Sequence, residues 1–249
     1  MDFIKTFKYL VMIKSNAMKA LLTIALASLA SFEMPAQCNS FFPLIENTRY
    51  EYEMFDKKDK MTVKMTYTLK NVSGSGDNMN ATVTQDLYDA KKGDKITSAD
   101  LNWECKDGTL HFDMRSMTMM GDNGQEMNMA ETGMGVDVTG DELDLPSDLT
   151  VGQTLKDATY TIKMTMGTLT VMNRTYTIKE RKVESQESLT TPAGTFDCYK
   201  ITYLTADNKS GNTTKSALWY AKDSGLIKSE NYKDDGKLIA RQVLAKLVK

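Results

Sequence analysis

The sequence predicts an all-β protein: an antiparallel meander forming a barrel or open half-barrel, after an N-terminal signal helix. Three observations predict it. Past residue 47, apolar residues recur at every second position, not at the period of about 3.6 that a helix requires. Thr, Tyr, Val, Ile and Met fill these runs, residue types that fit a pleated, half-buried surface. Turn-forming clusters separate the runs at short intervals: "DKKDK", "SGSGDN", "KKGDK", "KDG", "ADNKSGN", "KDSG" and "KDDG".

The chain of 249 residues is 41% hydrophobic and 26% charged, ordinary globular composition with a core large enough to fold without a metal or disulfide. Residues 1–36 read as a signal peptide. Lys19 precedes an apolar run from Ala20 to Phe32, and small or turn-forming residues follow up to Ala36. That run falls short of the roughly 20 residues a membrane-spanning helix needs. Met18 is a candidate true start. Residues 37–249 then form a single β-rich domain, exported to the periplasm or the outer membrane. Lipidation at Cys38 is a competing reading, disfavoured because Gln37 is not the small residue such signals place before the cysteine.

Along the mature chain, "TRYEYEMF" alternates Tyr50, Tyr52 and Met54 against charged residues, and "MTVKMTYTL" alternates Met61, Val63, Met65, Tyr67 and Leu69. "YTIKMTMGTLTV" places Ile162, Met164 and Met166 on one face and resumes at Leu169 and Val171 after Gly167. One apolar and one polar face per run is the mark of an antiparallel sheet, and the spacing predicts a meander of roughly ten to thirteen strands. The tail "KLIARQVLAKLVK" follows a "DDG" turn and reads as a final strand. Between them, residues 121–157 are rich in Gly, Met and Asp and read as an excursion, a domain seam or a lid.

Charge excludes some functions. The formal net charge is -2. Removing residues 1–36 takes four cations and two acids from 31 and 33, leaving 27 and 31 and a net charge of -4. Lysines and acids are interspersed, so no nucleic acid partner and no electrostatic partner is expected. The sequence implies no cofactor: GxSxG, SxxK, P-loop and GxGxxG motifs do not occur. The single histidine, His111, leaves any cysteine nucleophile without a plausible orienting set. The acids of "DELDLPSD" lack the spacing of an EF-hand. Trp103 and Trp219 sit in strand-like runs and read as core.

Two features carry candidate chemistry. Seven methionines, Met114 to Met134, crowd into "HFDMRSMTMMGDNGQEMNMAETGMG". Thioethers are soft ligands that select Cu(I) or Ag(I), so Met117, Met119, Met120, Met127 and Met129, with His111, form a candidate metal set. The plainer reading is that Met fills irregular apolar space here, as at Met54, Met61 and Met65. On that reading Met114, Met164, Met166, Tyr67 and Leu169 line the inside of a curved sheet. The cysteines, Cys38, Cys105 and Cys198, allow one disulfide with one thiol left over, and spacing does not choose among the three pairings.

"ESLTTPAGTFDCYKITY" (187–203) followed by "SALWYAKDSGLIKSENY" (216–232) resembles a family of uncharacterised bacterial envelope proteins, a domain of unknown function. In that family a P-A-G-x-F turn leads into a strand and a W-Y-x-x-x-x-G-L-[IV]-K hairpin follows. The resemblance implies an antiparallel half-barrel, similar in outline to lipoprotein-carrier proteins, and brings no catalytic residue. The expected function is therefore non-enzymatic: an exported envelope protein binding a small apolar or lipid-like molecule. The alternatives are soft-metal binding and a structural role with an envelope partner protein.

Overall fold

Alternation at this length requires a sheet that curls to bury its apolar face. The computed structural model of the protein describes residues 38–115 and 134–249, and its described residues fall in one compact unit, Ala36–Lys249. The first meander comprises β1 (Arg49–Asp56), β2 (Met61–Ser75), β3 (Asn78–Asp89), β4 (Lys95–Lys106) and β5 (Thr109–Phe112). β6 (Met134–Gly140) and β7 (Leu143–Pro146) follow. The second meander comprises β8 (Ala158–Met166), β9 (Leu169–Thr191), β10 (Gly194–Asp207), β11 (Thr213–Ala221), β12 (Gly225–Lys233) and β13 (Leu238–Val248). Among the described residues these form one 13-stranded antiparallel sheet ordered β6-β8-β9-β10-β11-β12-β13-β1-β2-β3-β4-β5-β7.

The order puts the chain's beginning in the middle of the sheet. β1 is flanked by β13 and β2, with Tyr52 opposite Leu244 and Met65. The sheet's two ends, β6 and β7, are neighbours in sequence. Both lie inside the segment expected to be an excursion, so the described part of 121–157 adds a strand to each end of the sheet instead of forming a seam or lid. Periodicity misses β7 because it has only four residues.

A link brings the two arms together. After β7 the backbone runs along the free side of β9: Leu155 N donates to Arg181 O (2.9 Å) and Val183 N to Gln153 O (2.9 Å). β9 carries a bulge here, where the register against β10 slips between Thr202 and Leu204 and Glu180 takes a φ of 58°. A bulge re-aims a side chain, and this one turns Arg181 inward.

Antiparallel alternation sorts the hairpin turns to two ends. The β2–β3, β4–β5, β9–β10 and β11–β12 turns lie at one end. The N-terminal segment from Cys38 to Leu44 folds across that end as a plug. Cys38 is disulfide-bonded to Cys105, with Cα atoms 6.1 Å apart. Asn39 is fully buried; its Nδ2 donates to Leu145 O (2.8 Å), and its Oδ1 accepts from Phe41 N and Phe42 N. Gly225 N donates to Phe41 O (2.8 Å). The Phe42 ring packs edge-on to Tyr50, Trp103, Phe112 and Tyr220.

Two apolar clusters result. The larger fills the barrel and includes the plug, Tyr50, Met65, Trp103 and Leu244. The smaller lies under β6, β8 and the first half of β9 and includes Met114, Tyr160, Ile162, Met164 and Tyr176.

Candidate functional site: a cavity on the concave face

Curvature leaves space that inward side chains do not fill. A cavity of about 270 Å³ lies on the concave face, near the lower limit of the range typical of small-molecule sites. Its walls come from both meanders and from the plug. Toward the plug, Phe42, Tyr52, Trp103 and Tyr220 are all buried. Toward the opposite end, Thr205, Thr214, Asn231 and Arg241 are half-buried. The cavity therefore grades from an aromatic floor to a mixed mouth, where these polar groups stand beside Ile239 and Ala240, and which opens among the β1–β2, β10–β11 and β12–β13 turns.

The floor is held rigid by ring contacts. Tyr52 meets Tyr67 edge-on at 5.8 Å, and Trp103 meets Phe112 at 5.3 Å. Burial pushes the Tyr52, Tyr67 and Tyr220 hydroxyls well above the usual tyrosine range, so they stay protonated and do not act as bases. Tyr67 Oη accepts from Gln85 Nε2 (2.9 Å). Tyr52 Oη and Trp103 Nε1 have no hydrogen-bond partner among the described residues, so the wall is not wholly apolar. At the mouth, Arg241 is held by Asp59 (2.7 Å) and stacks on Phe55, its guanidinium carbon 4.0 Å from the ring centroid.

A family profile described as DUF3108-like matches residues 46–244. The chain belongs to the DUF3108-like family. Two solved structures share the fold of this DUF3108-like chain. One is a candidate lipoprotein from Parabacteroides distasonis ATCC 8503, with a TM-score of 0.69, 25% identity, and coverage of 85% of this chain and 100% of that one. The other is a candidate exported protein with a YmcC-like fold from Bacteroides fragilis NCTC 9343, with a TM-score of 0.66, 21% identity and the same coverage, 85% and 100%. No curated protein matches the sequence.

The DUF3108-like cavity gathers one of the five lining residues expected from sequence. Tyr67 lines it. Met114 and Met164 are buried in the smaller cluster instead. Met166 and Leu169 are exposed, at 51% and 60%. The physical reason is strand length. β10 ends opposite Tyr176, so the β8–β9 hairpin overhangs it, and inward parity there faces the small cluster or water, not the barrel interior.

The candidate metal residues Met117, Met119, Met120, Met127 and Met129 lie outside the described residues. His111 Nδ1 sits 3.4 Å from Glu142 Oε2, on a strand pair between β5 and β7. Of the cysteines, Cys38 and Cys105 are paired and Cys198 is free and fully buried. Sequence reasoning passed over Phe42, Tyr52, Trp103, Phe112 and Tyr220. Phe42 lies in the plug, outside any strand, and for the strand residues nothing local says which inward side chains meet a partner and which border a void.

Proposed function

We propose that this DUF3108-like protein is exported, is not an enzyme, and holds a small amphipathic molecule in its concave cavity. The observation that carries the reading is the gradient along the cavity, from the buried rings of Phe42, Tyr52, Trp103 and Tyr220 to the polar groups of the mouth at Asn231 and Arg241. An apolar tail suits the floor and a polar head suits the mouth. The tyrosines of the wall are held protonated by burial, which fits binding better than proton abstraction.

Export is supported by the Cys38–Cys105 disulfide, a bond that persists in oxidising compartments, by the signal-like residues 1–36, and by the descriptions of the two similar structures. The disulfide also speaks to anchoring. Sγ of Cys38 forms one bond beyond its own carbon; joined to Cys105 it does not carry a diacylglyceryl thioether. On this reading the mature protein carries no lipid on Cys38, although one structural neighbour is described as a lipoprotein.

Native mass spectrometry of protein purified from the exporting cell tests both points. The expected result is an unlipidated polypeptide carrying a small molecule that is lost on denaturation. Ala240→Phe, which fills the mouth, should abolish that adduct while leaving the fold intact. A polypeptide that arrives empty, or an adduct retained by Ala240→Phe, overturns the ligand reading.

A further inference from the structure

The turns that rim the cavity mouth are unlike those at the plug. The β8–β9 hairpin projects past them. Residues 169–175 continue beyond Tyr176, the last β9 residue paired with β10, which extends the hairpin on the order of 20 Å past the end of β10 at the usual strand rise. From Met164 to Asn173 it carries no charge. Met166, Leu169 and Val171 at its tip are 51%, 60% and 48% exposed. Among the other described residues the exposed large apolar ones, Ile45, Val151 and Val248, stand singly and away from the mouth. Charges begin only at the hairpin's base, where each has a counter-charge near: Lys163 stands opposite Asp137, and Arg174 donates to Asp207.

Around the same mouth the turns are built so that an acid at the start of each binds that turn's own backbone. Asp56 accepts from the backbone N of Lys58 and Lys60, Asp89 from those of Lys91 and Lys92, and Asp207 from those of Lys209 and Ser210. Those carboxylates are spent on the turns, while Lys57, Lys58, Lys91, Lys92 and Lys209 are exposed. Across the four rim turns, residues 56–60, 89–95, 207–213 and 233–237, nine lysines stand against seven aspartates, a local excess of two positive charges, and Asp59 is paired to Arg241 and Asp235 to Lys237. Near-neutral net charge in the sequence thus conceals a sorting that only the hairpin alternation creates.

We propose that the mouth end docks on a lipid bilayer, with the β8–β9 tip inserted among the acyl chains and the rim lysines against anionic headgroups. An uncharged tip with exposed aliphatic and thioether side chains enters the interface without burying a charge, and each nearby lysine adds to the attraction of an anionic surface. The cavity mouth then faces the membrane, so a lipid-like ligand passes between bilayer and cavity without crossing water. The docking itself does not depend on what the cavity holds.

The test is vesicle flotation of the chain from Gln37, with phosphatidylcholine vesicles made with and without phosphatidylglycerol. Wild type should float with the anionic vesicles and do so less as salt is raised. Leu169→Asp should float roughly tenfold less, and Lys91→Glu/Lys92→Glu should lose the preference for phosphatidylglycerol while keeping weak binding. Both variants change exposed residues and should retain any cavity adduct seen by mass spectrometry, which separates failure of docking from failure of ligand binding. Wild type that stays with neither vesicle, or Leu169→Asp that floats as wild type does, overturns the proposal. So does a wild-type dimer that Leu169→Asp converts to a monomer, which would assign the tip to a second copy of the chain.

Discussion

Arg181 on β9 and Asp144 on β7 are ion-paired, although their strands lie near opposite ends of the sheet. Arg181 Nη2 also donates to Asp144 O (2.6 Å) and Nη1 to Lys156 O (2.6 Å). Its side chain is only 4% exposed, and the β9 bulge at Glu180 points it inward. The pair therefore joins the two arms beside the bonds between 152–155 and 181–183 and holds the open sheet in its curled form.

Removing one partner of such a pair leaves the other charge and two carbonyls under-bonded. Arg181→Leu should destabilise the protein by about 3 kcal/mol or more. Urea unfolding of the two proteins measures this, and a change under 1 kcal/mol would mean that the backbone link alone holds the arms.

The disulfide pins the plug across a sequence separation of 67 residues. Constraining the unfolded chain over a loop of that size is worth about 4 kcal/mol in the chain-entropy account. Cys105→Ser should lower stability by something of that order. In the wild type, Cys198 is fully enclosed, and burial pushes its thiol up to about 11. A thiol reagent at mildly alkaline pH should therefore find no reactive group until the protein unfolds, and then one. A group that reacts in the folded state would contradict the assigned pairing.

Gly225 and Gly236 both sit in hairpin turns with positive φ, 74° and 78°. They differ in what a side chain would meet. A Cβ at Gly225 overlaps the Phe42 ring, whereas one at Gly236 meets nothing. Gly236→Ala carries only the backbone penalty, about 1 kcal/mol. Gly225→Ala adds a clash with a ring that Tyr50, Trp103 and Tyr220 hold in place, so it should cost at least about 1 kcal/mol more. Equal thermal shifts for the two variants would show that the plug yields.

Asp207 ties the β8–β9 hairpin to the mouth through Arg174. Burial pushes its carboxyl up. Hydrogen bonds from Lys209 N, Ser210 Oγ and N, and Arg174 outweigh this and lower it to about 2. A carboxyl lowered on folding contributes stability that is complete above its unfolded value, near 3.8, and is lost as pH falls toward the folded value. Stability should therefore decline between about pH 4 and pH 2, and Asp207→Asn should flatten that part of the curve. An unchanged acid limb in Asp207→Asn would remove this carboxylate from the account.

Much of the fold was legible because it rests on local rules. The period of two in "TRYEYEMF" and "MTVKMTYTL" becomes β1 and β2 with Tyr50, Tyr52, Met65 and Leu69 buried. "KDG" becomes the β4–β5 turn, with Asp107 and Gly108 both at positive φ, and "PAG" becomes the β9–β10 turn. The cavity was less legible. Tyr52 and Tyr67 share the inward alternation of Met65 and Leu69, and all four read alike. Whether an inward residue borders a void depends on how tightly the sheet curls and on what plugs its end, and both are set by Cys38–Leu44, Asn39 and Arg181 acting over long sequence separations.

By itself, then, the sequence determined that this chain is an antiparallel β protein with one apolar face per strand, turns at stated places and a signal-like beginning, because alternation and turn chemistry act between near neighbours. Tertiary structure alone decided that Cys38 pairs with Cys105, that β1 joins β13, and that Tyr67 lines the cavity while Met164 packs a second core. It also decided that Met166 and Leu169 stand exposed beyond the mouth. Each of these depends on strand register and on the unequal lengths of β9 and β10, which bring together residues that no local pattern relates.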